Sequence, residues 1–137
     1  MQIWPHVSHL IESAMRRGRL SDFADVERAV LSGAHLLWLA AALTPSPACG
    51  GGQGGGAIYA AAVTALTSIS GERVCTIVAC GGRERARWLH LIATLEDYGR
   101  AEGCRAIRIL GRRGWARLLP DYTTTRILLE KPVQPRA

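Results

Sequence analysis

The chain has 137 residues, 17 basic and 11 acidic, and a formal net charge of +6. That length gives a single domain able to bury its own core, and no apolar run reaches the roughly 18 residues of a membrane span. The charge permits nucleic acid or an acidic protein as a partner without choosing between them, and because all but one of the basic residues are arginine, the bias reflects base composition as much as chemistry.

Val7, Leu10, Ile11, Ala14 and Met15 repeat at helical spacing and predict a first amphipathic helix from about Pro5 to Arg17. The N-terminus shows no basic region followed by an apolar stretch, so no signal peptide is expected. Ser21 is the expected N-cap of a second helix, with Phe23, Val26 and Val30 on its buried face and Gly33 at its end. Three strand candidates follow, at His35 to Ala42, Ile58 to Ile69 and Arg73 to Cys80. Ser70-Gly71-Glu72 is a tight hairpin signal. Thr44 to Gly56 is a glycine-rich linker between strands; it lacks the Lys-Ser/Thr ending of a phosphate-binding loop and precedes a strand, not a helix.

A long helix is predicted from Arg83 to Ala101, with Trp88, Leu91, Ile92 and Leu95 on one face. Ala106 to Leu110 reads as a strand, Trp115 to Leu119 as a short helix stopped by Pro120, and Thr123 to Glu130 as a last strand. The order is α-α-β-β-β-α-β-α-β. Hairpins require antiparallel pairs and the strand–helix–strand crossover a parallel one, so the expected fold class is α+β (α/β), a single domain with a mixed sheet flanked by helices. The domain spans residues 1–131, with the glycine-rich loop at 44–56 and an extended tail at 132–137.

Chemistry is thinly signalled. Cys49, Cys75, Cys80 and Cys104 form no C-x-x-C pair and have no histidine at ligand spacing, so buried free thiols and no metal are expected, in keeping with cytosolic synthesis. His6, His9, His35 and His90 are scattered and support no nucleophilic triad. Glu96 lies among apolar neighbours and is expected to pair with an arginine such as Arg108 or Arg112. Trp38 and Trp88 read as core. Arg112, Arg113 and Trp115, in a Gly-Arg-Arg-Gly-Trp turn, are the candidate interaction residues. No helix-turn-helix, zinc finger or stacking aromatic pair is present, which leaves nucleic-acid contact non-specific at most.

The element order resembles the GNAT acetyltransferase fold. Leu37-Trp38-Leu39, Ala62-Val63-Thr64, Gly81-Gly82, Trp88-Leu89, Glu96, Gly103-Cys104, Gly111 to Trp115 and Glu130-Lys131 are similar to a narrower group, the small GNAT-like proteins of tailed-bacteriophage morphogenesis clusters, including the short internal virion protein of podoviruses. The GNAT resemblance implies acetyl-CoA binding at Gly81, Gly82, Arg83 and Arg85. The family's Arg/Gln-x-x-Gly-x-Gly/Ala motif, with its last position on Ala86, puts Glu84 at the central glycine and Gly81 at the Arg or Gln. The family's tyrosine general acid falls on Arg117, and Tyr122 matches a core aromatic. No catalytic residue is therefore assigned.

The resemblance and its departures imply a non-catalytic accessory protein of the virion, made in the host cytoplasm. It would bind portal, tail or internal proteins and copies of itself, without a membrane and without a cofactor. The alternative is an acetyl-CoA-dependent N-acetyltransferase acting on a protein or small amine; an inhibitor of one host target is a third reading.

Overall fold

A computed structural model describes residues 3–18, 22–42, 58–110, 114–124 and 131. Helix α1 (Trp4–Gly18) and helix α2 (Phe23–Ser32) come first. The capping residue of α2 is Asp22, whose Oδ1 accepts from the Ala24 backbone N–H at 3.2 Å; the expected cap, Ser21, lies outside the described residues. Gly33 ends α2 at φ +86°, the left-handed conformation that glycine adopts without a Cβ clash. The stacked rings of Trp4 and Phe23, 6.0 Å apart, join the two helices. Trp4 Nε1 also donates to Glu27 Oε2 at 2.7 Å.

Strands β1 (Leu36–Ala41), β2 (Ile58–Ile69), β3 (Glu72–Gly82) and β4 (Ala106–Ile109) form one sheet in that order. The first two pairings are antiparallel and the last is parallel, as the sequence predicts. Ser70 and Gly71 both have positive φ in the two-residue turn joining β2 to β3, which matches the twist of a tight hairpin.

The expected long helix is divided. Helix α3 (Arg85–Trp88) is a single turn, η1 (Leu89–Leu91) is a 3-10 turn, and α4 (Ile92–Ala101) is the helix proper. The first turn has no side-chain cap, and Arg85 and Arg87 lie at its positive dipole end, so it gains little from its own terminus. Helix α5 (Gly114–Leu118) follows β4. The expected last strand lies outside the described residues from position 125 onward, as do the glycine-rich loop and residues 132–137.

Each sheet face carries its own core. Val7, Ile11 and Met15 of α1 and Val26 and Val30 of α2 pack on Ala61, Val63 and Ala79. On the other face Ile92 and Leu95 of α4 pack on Ala62 and Ile77, with Trp38, Ile107, Ile109 and Tyr122 around them.

A β-bulge sets which residues of β3 face which core. Val63 pairs with Ala79 and Thr64 with Ile77, so Val78 is an extra residue on β3. Before it Ile77 faces α4; after it Cys80 faces α4, and Val78 and Ala79 both join the α1 side.

Candidate functional site at the open end of the central strand

Strands β3 and β4 are paired only from Val74–Ala106 to Ile77–Ile109. The last hydrogen bond between them runs from Leu110 N–H to the Ile77 carbonyl, at 3.1 Å. Strand β3 continues to Gly82, and no described residue pairs with residues 78–82 on the β4 side. The separation starts at the Val78 bulge, where a bulged strand bends away from its neighbour. Beyond Ile77, β3 runs on to Gly82 and the start of α3 without a described partner on that side.

Gly81, Gly82, Arg83 and Arg85 sit together at that end. The two glycines have packing roles of their own. A Cβ on Gly81 would lie 2.9 Å from Ala14 Cβ and 3.0 Å from the Leu10 carbonyl oxygen, so its missing side chain lets α1 lie against the strand. A Cβ on Gly82 would lie 2.3 Å from the Tyr59 carbonyl oxygen, on the neighbouring strand. Arg83 donates its backbone N–H to that same oxygen at 2.9 Å. The side chains of Arg83 and Arg85 are exposed.

Glu84 opens the helix at φ +52° and ψ +67°. This is the left-handed region, where a residue with a Cβ is disfavoured by roughly 1–2 kcal/mol relative to glycine. The Glu84 carboxylate lies 3.4 Å from Arg87 Nη1, and the Arg87 guanidinium stacks over the Tyr59 ring at 4.2 Å. One of the three local arginines is thus already engaged with an anion and an aromatic face.

Tyr122 and Glu96 make the other polar contact near the sheet. The Tyr122 hydroxyl donates to Glu96 Oε2 at 2.5 Å. Among the described residues the partner of Glu96 is thus a phenol, which the chain brings back after α5; Arg108 makes no ion pair with it, and the other expected partner, Arg112, lies outside the described residues. Burial first, and then the hydrogen bond to Glu96, push the Tyr122 hydroxyl above its ordinary pKa, so it stays protonated as a donor. Glu72 is bound to Arg105 Nε at 2.5 Å at the hairpin end of the sheet, the opposite end of β3 from Gly81 and Gly82.

Trp115 is half-buried, its ring 6.2 Å from that of Trp88; its two companions in the basic turn, Arg112 and Arg113, lie outside the described residues. Trp38 donates to Thr64 Oγ1 at 2.9 Å and meets Tyr98 edge-on at 5.0 Å. Among the described residues no group of three His, Cys, Asp or Glu is placed to hold a metal ion. Burial pushes the Cys80 thiol up to about 12, so it is a neutral apolar wall and not a nucleophile. The role of Tyr59 was not signalled in the sequence; a tyrosine inside an Ala- and Val-rich strand reads as core, and only the fold brings Arg87 above it.

No family model and no curated protein matches this chain. Solved structures do. A GNAT family acetyltransferase from Staphylococcus aureus is 12% identical, with a TM-score of 0.60 over 96% of this chain and 90% of that one. The ribosomal-protein-alanine N-acetyltransferase of Brucella melitensis is 12% identical, with a TM-score of 0.62 over 97% and 94%. An aminoglycoside acetyltransferase from an uncultured soil sample is 16% identical, with a TM-score of 0.57 over 95% and 91%. At these identities the likeness is one of fold: the mixed sheet flanked by helices is the GNAT fold.

Proposed function

We propose that this chain is a non-catalytic binding protein that reuses the GNAT sheet. Glu84 carries this reading. In this fold a cofactor pyrophosphate would meet backbone N–H groups at the start of the helix after the central strand. Here that start is one short turn, and its first residue is a carboxylate in the left-handed conformation, ion-paired to Arg87. A phosphate approaching there meets a like charge and a side chain where close contact needs none. The residues present do not fit acetyl-CoA. No general base is assigned either, since Glu72 is held by Arg105 at the far end of the sheet.

The kind of partner rests on the sequence resemblance from Leu37-Trp38-Leu39 to Glu130-Lys131: a protein of a tailed-phage particle or of its assembly, bound through the basic turn at Arg112, Arg113 and Trp115. An acetyltransferase is the second reading. The observation in its favour is that the pairing of β3 with β4 ends at Ile77, beside the Val78 bulge, which is where a thioester would lie between the two strands.

Calorimetric titration with acetyl-CoA decides between them. The expected result is no heat for the wild type at millimolar acetyl-CoA, and measurable binding once Glu84→Gly removes the carboxylate. Micromolar binding by the wild type would replace this reading with the acetyltransferase.

A further inference from the structure

Helix α4 ends on two thiols. Gly103 takes the left-handed conformation at φ +77°, and the backbone N–H groups of Gly103 and Cys104 donate back to the carbonyls of Arg100 and Gly99, at 3.1 and 2.9 Å. That pairing folds Cys104 back against the last turns of the helix. Cys75 reaches the same place from β3, where it is fully buried. Both meet Gly99. A Cβ built on Gly99 would lie 3.4 Å from Cys75 Cβ and 4.0 Å from Cys104 Cβ, so the two cysteines are gathered around one point.

Both are free thiols, and each lies within the other's electrostatic reach: after burial, Cys104 is the second cause that raises the Cys75 pKa. A disulfide sets its Cβ atoms about 3.5–4.5 Å apart. Two atoms held around one point reach that separation through a small shift of the turn after α4. Glycine at 99 matters for what it leaves out, since any other residue would put a carbon against both cysteines. Of the other two cysteines, Cys80 lies further along β3, beyond the bulge, and Cys49 lies outside the described residues.

We propose that Cys75 and Cys104 are a redox pair, which a small-molecule disulfide such as oxidised glutathione joins into a bridge tying the end of α4 to β3. Cys104 is the less buried member and reacts first. Its thiolate attacks the small disulfide, forms a mixed disulfide and expels one glutathione thiolate. The Cys75 thiolate then attacks the Cys104 sulfur and expels the second. Two protein thiols lose two electrons and two protons, and the oxidised glutathione takes them up as two thiols. Burial keeps the Cys75 thiolate scarce, so the second step is the slow one. The bridge closes a loop that contains the bulged end of β3, α3, η1 and α4, and it is independent of acetyl-CoA binding at Glu84.

The test is incubation of the full chain with oxidised glutathione at mildly alkaline pH, an acid quench, and peptide mass spectrometry. The expected product is a pair of peptides joined through Cys75 and Cys104, lighter by two hydrogens than the reduced pair and separated by dithiothreitol. Cys104→Ser should leave Cys75 a free thiol. Gly99→Ala puts a methyl in contact with both Cβ atoms; reduced, it should keep the wild-type circular dichroism spectrum, and its bridge should form several-fold more slowly. A mixed disulfide that stays on Cys104 while Cys75 remains a thiol overturns the inference, as does a bridge from Cys104 to Cys49 or Cys80 in place of Cys75. Equal bridging rates in Gly99→Ala and the wild type overturn it too, because the thiols would then meet away from this glycine.

Discussion

At the scale of single residues, Glu84 holds the most information. The sequence singles it out only through the resemblance, whose motif, counted from Ala86, expects a glycine there. Its backbone conformation was not legible, since a left-handed residue that is not glycine has no sequence signature. The two observations together yield a prediction free of ligands. Glu84→Gly and Glu84→Ala both lose the exposed pair with Arg87, which is worth little; they differ in whether a Cβ stays in the left-handed region. Urea unfolding should find the glycine variant more stable by about 1 kcal/mol. An alanine variant of equal or greater stability would show that the positive φ carries no strain. Glu96 teaches the opposite lesson. Its burial among apolar neighbours was legible, but its partner was not, because Tyr122 is 26 positions away and comes near only through the turn after α5.

At the scale of elements, the strands and their pairing senses followed from alternation, turn residues and the crossover rule. The break in the long helix did not. Trp88, Leu91, Ile92 and Leu95 keep an unbroken helical rhythm, and the 3-10 turn changes the rise without disturbing that pattern. The packing of α1 on β3 is the element contact with the clearest consequence. Gly81→Ala would place a methyl 2.9 Å from Ala14 Cβ and 3.0 Å from a backbone oxygen, and the backbone cannot rotate out of the way as a side chain can. The helix must then lift, and overpacking of this kind costs about 1–3 kcal/mol. A denaturation midpoint within error of the wild type would show that α1 does not rest on this glycine.

For the whole molecule, the two cores share the sheet, and the thiol of Cys75 lies on its α4 face, fully buried beside Gly99. Burial, and secondarily Cys104, raise its pKa from 9.0 to about 11. The folded chain therefore keeps this proton at a pH where the unfolded chain has lost it. Unfolding releases a proton between these two values, so this contribution to stability is complete below pH 9 and is lost as pH rises towards about 11. One such group adds a slope of about 1.4 kcal/mol per pH unit within the window. Chemical denaturation at several alkaline pH values should show this decline, and Cys75→Ala should flatten it by about one proton's worth. An unchanged slope in the variant would mean that this thiol ionises equally in both states.

The Val78 bulge gives β3 a parity. From Glu72 to Ile77 the odd-numbered residues look toward α4, and beyond the bulge the even-numbered ones do. Loss of Val78 would therefore remove the bulge and restore plain alternation, with Ile77 and Cys80 still toward α4 and Ala79 and Gly81 still toward α1. The extra residue is not what sends Cys80 to α4 or Gly81 to α1. What it adds is a second α1-facing residue and a local bend in the strand, so a one-residue deletion here would alter the course of β3 and leave the membership of both cores intact.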